Sequence, residues 1–259
     1  LQVSDFLDLK LGKRKSTNPP QRSDTINSGD PEKIGQEFLT LFKELGGLKK
    51  DDDVLDVGSG FGRMALPLTG YLSSNSRFEG IEPLARGVKW CSTKITPKFR
   101  NFRFQKLDVK NGMYNPNGKI LAADYKFPFE DESFDFIILT SVFTHMLPAA
   151  LENYVSEISR VLKPGGSCFI TYFLLNDEST ELINQGKSLY SLKYSCENYR
   201  IESQENPEYV VAYPEEVILD FYKKNGLKYQ PPYYGKWCGR NEYTSFQDIL
   251  IGRKNGRST

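Results

Sequence analysis

The order of apolar runs and turn signals predicts an α/β fold: a doubly wound, mostly parallel sheet of seven strands. Three observations carry this expectation. From Asp30 onward, short apolar runs alternate with amphipathic helical patterns, the order that builds parallel β-α-β units. One of these runs ends in a glycine-rich turn, V-L-D-V-G-S-G-F-G-R at 54–63, that leads into a helical segment. A later helix is stopped by Lys163-Pro164-Gly165-Gly166 and followed at once by another apolar run.

Each element has its own signal. Asp30 caps a helix that Pro31 begins, with Ile34, Phe38, Leu41, Phe42 and Leu45 on one face and Gly46-Gly47 ending it. Residues 54–57 read as a buried strand, 63–72 as a helix, 77–81 as a strand, 84–95 as a helix and 101–107 as a third strand. A fourth strand at 134–140 is followed by a helix at 149–162, with Leu151, Val155, Ile158 and Leu162 facing inward, and by a fifth strand at 167–173. A helix at 214–225 and strands at 227–230 and 245–251 close the chain. Residues 1–30 join an apolar stretch and a basic cluster to S-T-N-P-P-Q-R-S-D, and read as an N-terminal arm, either partly ordered or a flap over the active site. The main domain is expected at 31–254, with a polar insertion at about 176–213 and a tail at 255–259.

Bulk composition narrows the classes. The 259 residues carry 34 Lys plus Arg against 33 Asp plus Glu, so overall charge does not advertise a polyanionic partner, and neither nucleic acid nor a membrane is expected. The four cysteines, Cys91, Cys168, Cys196 and Cys238, form no C-x-x-C pair, which argues against a metal site and a disulfide framework. No apolar run is long enough for a membrane span, and the N-terminus lacks the apolar core of a secretory signal, so a cytoplasmic location is expected.

The glycine run is the most informative stretch. A dinucleotide fingerprint, G-x-G-x-x-G, has its third glycine where this chain has Arg63; the pattern here is Asp56-x-Gly58-Ser59-Gly60-x-Gly62. A carboxylate two residues before the first glycine repels a pyrophosphate and attracts an ammonium. Glu82 follows Gly62 by twenty positions, the spacing at which a strand-end carboxylate accepts ribose hydroxyls. A nicotinamide oxidoreductase of the Tyr-x-x-x-Lys kind is disfavoured, because no tyrosine has Lys four positions later.

Taken with F-E-G-I-E-P, F-Q-K-L-D-V, F-P-F-E-D-E-S-F-D-F-I-I-L-T and R-V-L-K-P-G-G-S-C-F-I-T, this loop resembles the class I S-adenosylmethionine-dependent methyltransferases from about Gly35 to Lys254. The blocks Y-N-P-N-G, S-V-F-T-H-M-L and W-C-G-R look like a subgroup acting on small molecules. The resemblance implies S-adenosylmethionine as cofactor. Its methionine half would lie against Asp56, Gly58, Ser59, Gly60, Gly62 and Arg63, its ribose against Glu82 and Pro83, and its adenine beside Asp108 and Val109, with Asp124 competing for that role. Thr140 and Ser141, at the end of the fourth strand, complete the cofactor set.

Methyl transfer needs a base only where the acceptor must lose a proton. His145, the single histidine, directly follows the fourth strand and is the candidate, set against a role in packing or capping the next helix. Tyr190 and Tyr194 in the insertion, read as a lid, and Trp237 and Arg240 in P-P-Y-Y-G-K-W-C-G-R are the candidate acceptor contacts; the latter pair could equally close the last hairpin. The expected activity is methylation of an oxygen, or a nitrogen, of a small molecule, as in secondary metabolism. The rivals are an RNA methyltransferase and a non-catalytic cofactor-binding module.

Overall fold

The computed structural model describes residues 30–256; the arm at 1–29 and the last three residues lie outside the described residues. The chain divides into two compact units, Leu1–Leu107 and Asp108–Thr259.

The first unit opens with α1 (Pro31–Glu44), whose N-terminus is held as the sequence predicts, Asp30 accepting from the Glu32 amide. Three parallel strands follow, β1 (Val54–Val57), β2 (Phe78–Glu82) and β3 (Phe102–Lys106), in the order β1-β2-β3. All residues of β1 and β2 are buried, so their apolar side chains pack on both faces of the sheet. Between β1 and β2 the helix α2 is a single turn, Ala65–Leu68, where the sequence predicts 63–72. Pro67 has no amide to donate to the Arg63 carbonyl, which keeps the helix from starting at Arg63. The helix α3 (Ala85–Lys94) leads into β3 and is tied to it by Thr96 Oγ1 donating to the Phe102 carbonyl.

The second unit begins with two short parallel strands, β4 (Val109–Lys110) and β5 (Ile120–Leu121). The strand β6 (Phe134–Leu139) is followed by α4 (Pro148–Val161), β7 (Leu162–Tyr172), α6 (Glu215–Lys224), β12 (Leu227–Tyr229) and β13 (Asp248–Lys254). The strand β7 is parallel to β6 and antiparallel to β13. It starts earlier than predicted, at Leu162. The K-P-G-G run ends α4 but lies inside the strand as an irregularity: Phe134 pairs with Leu162 while Phe136 pairs with Ser167. Arg160 pins the preceding F-P-F-E-D loop by donating to the Phe127 and Phe129 carbonyls, Asp131 and Glu157.

Together the long strands form one seven-stranded sheet in the order β12-β13-β7-β6-β1-β2-β3, parallel except at β13, and flanked by helices. The insertion holds α5 (Asp177–Asn184), capped reciprocally by Asn176 and Ser179, and a second, four-stranded sheet. Its strands are β8 (Leu174–Leu175), β9 (Tyr194–Ser195), β10 (Arg200–Ile201) and β11 (Val211–Pro214). Phe173, Leu175, Leu192, Val210, Ala212 and Trp237 form its buried core. Among the described residues no helix is long and apolar enough to cross a membrane.

Candidate active site

The first unit carries its candidate cofactor residues at and just after the ends of β1 and β2. As β1 ends, the Gly58 and Ser59 amides donate to the Ile81 carbonyl, folding the loop over the end of β2. Glu82 closes the arrangement, its two oxygens accepting from the Gly60 and Leu84 amides at 2.8 Å each. Gly60 sits at φ 53°, and a Cβ there would meet nothing within 4 Å, so its backbone borders open space that a side chain would fill. Gly62 supplies the close approach: a Cβ would lie 2.7 Å from Ile95 Cδ1 and 3.0 Å from Cys91 Sγ.

Asp56 is the anomaly of this loop. It is 1% exposed, and neither carboxylate oxygen has a hydrogen-bond partner among the described residues; the Ser59 hydroxyl is likewise without one. Burial, reinforced by the charge of Glu82 and opposed by that of Arg63, pushes its pKa up to about 7. A buried carboxylate left bare is costly, and a cationic donor is what it lacks. The donor set therefore fits a ligand with an ammonium and a vicinal diol.

The second unit holds Asp108 and Val109, then Thr140, Ser141 and His145. Asp108 is half-buried, its carbonyl accepting from the Lys119 and Ile120 amides, and its charge raises the pKa of Tyr125, a smaller effect there than burial. Asp124 is exposed on a short 3₁₀ turn. Ser141 adopts φ 58°. Its amide donates to Thr171 Oγ1 at 2.8 Å, and its hydroxyl, like that of Thr171, donates to Gln247 Oε1. The 3₁₀ turn Phe143–His145 follows, with Thr144 Oγ1 buried and without a partner among the described residues.

His145 is 7% exposed. Its Nδ1 lies 3.1 Å from the Glu208 carbonyl, so an Nδ1–H donates there and leaves Nε2 as the basic nitrogen. Burial lowers its pKa, opposed by the Glu208 and Tyr209 carbonyls. The Tyr114 ring stands edge-on at 6.3 Å. The Glu208 carboxylate also accepts from the Gly112 amide at 3.2 Å, and Tyr213 OH donates to the Met146 carbonyl at 2.6 Å. The insertion thus grips both the histidine turn and the Y-N-P-N-G segment. Sequence reasoning missed Tyr114, Glu208, Thr171 and Gln247, whose partners are distant in the chain and give no local signal.

Two of the residues expected to contact the acceptor are buried. Trp237 is 1% exposed, and its Nε1 donates to Asp248 at 2.6 Å. Arg240 is 5% exposed, and donates to Glu178, Asn176, Gly235 and Asp248. Their polar groups tie the C-terminal loop to α5 and β13, the hairpin-closing role. Tyr190 is half-buried against Phe173 at 5.2 Å, while Tyr194 on β9 carries the Lys193 ammonium over its ring.

Residues 55–170 match the methyltransferase domain family. The chain is similar to the sterol 4-C-methyltransferase strm-1 of Caenorhabditis elegans, 29% identical over 167 residues, which make up 62% of this chain and 43% of that protein. It spans about half the length of the curated relatives it matches. In fold it is similar to the PH0226 protein of Pyrococcus horikoshii OT3, with a TM-score of 0.60 at 18% identity over 91% of this chain and 96% of that one. A second likeness is to the Burkholderia thailandensis 1,6-didemethyltoxoflavin-N1-methyltransferase, solved with 1,6-didemethyltoxoflavin and S-adenosylhomocysteine. Its TM-score is 0.52 at 14% identity, over 97% and 86% of the two chains. With the glycine loop, Glu82 and the seven-stranded sheet in place, residues 55–170 are a methyltransferase domain of the class I, S-adenosylmethionine-dependent kind.

Proposed function

We propose that this chain transfers a methyl group from S-adenosylmethionine to an oxygen or nitrogen of a small molecule. The observation that carries the reading is the bare carboxylate of Asp56 beside the strand-end acid Glu82. Asp56 would hold the methionine ammonium, Gly58, Ser59, Gly60, Gly62 and Arg63 would shape the methionine pocket, and Glu82 with Pro83 would take the ribose. We assign the adenine to Asp108 and Val109; exposure of Asp124 favours the same choice. Thr140 and Ser141 complete the set. The bound cofactor supplies an electrophilic methyl carbon.

His145 Nε2 accepts the proton that an oxygen acceptor gives up, because Nδ1 is committed to the Glu208 carbonyl. The insertion at 176–213 acts as a lid: through Glu208 it holds the imidazole in one tautomer, and it excludes water from the acceptor. Tyr114 and Tyr194 are the acceptor contacts we favour. A small acceptor is in keeping with relatives and neighbours whose names specify sterols and a toxoflavin precursor. Four free thiols fit a reducing compartment, and we assign the chain to the cytoplasm. Incubating a metabolite extract with the chain and a methyl-labelled donor tests the reading: a labelled small molecule is expected together with S-adenosylhomocysteine, and label found only in macromolecules, or no S-adenosylhomocysteine at all, would refute it.

A further inference from the structure

We infer that the α3–β3 edge of the first unit is a docking surface for an anionic membrane. Between Pro83 and Leu107 the chain carries seven Lys or Arg and no Asp or Glu, while the whole protein is balanced at a net charge of +1. All seven side chains are exposed. Lys89, Lys98, Arg100 and Lys106 have no ion-pair partner among the described residues, and Lys94 covers the Trp90 ring. Two acids of β2 lie opposite the group across the β2–β3 ladder, Glu79 beside Arg103 and Glu82 beside Lys106, and both are buried. Ordinary surfaces intersperse the two signs, because segregated like charges repel one another. Here the segregation lies along a helix, the connection after it and the edge strand of the seven-stranded sheet.

The chemistry of the patch favours a lipid surface over a nucleic acid. A single-stranded RNA surface offers aromatic faces for bases to stack on. The aromatic residues here are engaged with one another or with a cation instead: Phe102 is buried and stacked on Phe78 at 4.6 Å, Phe104 packs against Phe78 at 5.8 Å, Phe99 stands edge-on to Phe102 at 6.1 Å, and the half-buried Trp90 is covered by Lys94. None of the exposed large hydrophobic residues lies in this stretch, so attachment is electrostatic and reversible rather than by insertion. Clusters of four to eight Lys or Arg recognise anionic headgroups in this way.

The test is sedimentation of the full chain with phosphatidylcholine vesicles, with and without about a third of phosphatidylserine. Binding is expected only to the anionic vesicles, and is expected to fall steeply as salt rises through the physiological range. Replacing Lys89, Lys98, Arg100 and Lys106 together by Gln should weaken it by about fivefold per side chain, roughly six hundredfold in all, with the melting temperature and cofactor affinity unchanged. Equal binding to neutral vesicles, or unaltered binding by the fourfold variant, would overturn the inference. So would salt-sensitive binding to single-stranded RNA by a chain that ignores the vesicles.

Discussion

Asp56 in the first unit and Asp248 in the second are both carboxylates buried to 1% exposure or less, and the pKa of each is pushed upward by burial, to about 7 and about 6. Their surroundings differ. Asp248 accepts from the Leu174 and Gly235 amides, from Trp237 Nε1 and from Arg240. Asp56 accepts from no described residue. A buried acid whose partners are all supplied by its own chain is part of the scaffold; one whose partners are missing is waiting for something outside the chain. The same contrast separates Asp56, a candidate cofactor residue, from Trp237 and Arg240, whose polar groups are bonded to Asp248.

The sharpest way to break this comparison is Asp248→Ala. It leaves Arg240 charged and buried without its full set of acceptors, and should cost about 3–5 kcal/mol of unfolding free energy. Urea titration checks this; a loss below 1 kcal/mol would mean that Asp248 is not the anchor described. Cofactor affinity of the folded fraction should be unchanged.

His145 shares in both conditions, since its Nδ1 is committed to the Glu208 carbonyl and no hydrogen bond of Nε2 accompanies it among the described residues. His145→Gln should lower kcat by about a hundredfold with cofactor affinity retained. The wild-type rate should rise with pH through a pKa lowered from 6.5 by burial, and the variant should lose that limb. An identical pH profile in the two proteins would remove His145 as the base, and a large drop in melting temperature would return it to a packing role.

Glu82→Ala removes both the ribose acceptor and the brace on the Gly60 and Leu84 amides. Calorimetry should show cofactor binding weakened by about 1–3 kcal/mol, and unchanged affinity would show that the ribose is held elsewhere.

Asp56→Asn should have the smallest effect, and its sign depends on pH. The native pKa lies above the unfolded value, so the native state holds its proton more tightly, and stability falls as pH rises from about 4 through about 7. Removing the charge should raise the melting temperature of the cofactor-free chain, by more at pH 8 than at pH 5. Cofactor affinity at pH 8 should fall. A variant less stable at pH 8 than at pH 5 relative to wild type would show that Asp56 already has a partner.

Much of the first unit was legible because its signals are local. Asp30 and Pro31 mark a helix start by capping chemistry alone, and Asp56, the glycines and Glu82 lie at strand ends fixed by the alternation of elements. The late start of α2 was legible in principle, since Pro67 cannot donate back to Arg63. In the second unit the decisive partners are remote. Ser141 meets Gln247 across 106 positions and His145 meets Glu208 across 63. Trp237 and Arg240 read as surface contacts because aromatic and cationic residues suit an acceptor, and only folding shows Asp248 beneath them. Net charge concealed the basic edge, since a sum is blind to segregation.

The left-handed backbone of Ser141 bears on how this protein can drift in evolution. Outside glycine such a conformation costs roughly 1–2 kcal/mol, and here it is held by two side chains borne on neither β6 nor its following turn. Glycine at 141 would relieve the strain but forfeit the hydroxyl bonded to Gln247, whereas a β-branched residue would fit neither. Loss of the Thr171 hydroxyl would free the Ser141 amide and remove one of two donors to Gln247. Positions 141, 171 and 247 should therefore be inherited as a set, and a lineage that changes one should be found to have changed the others.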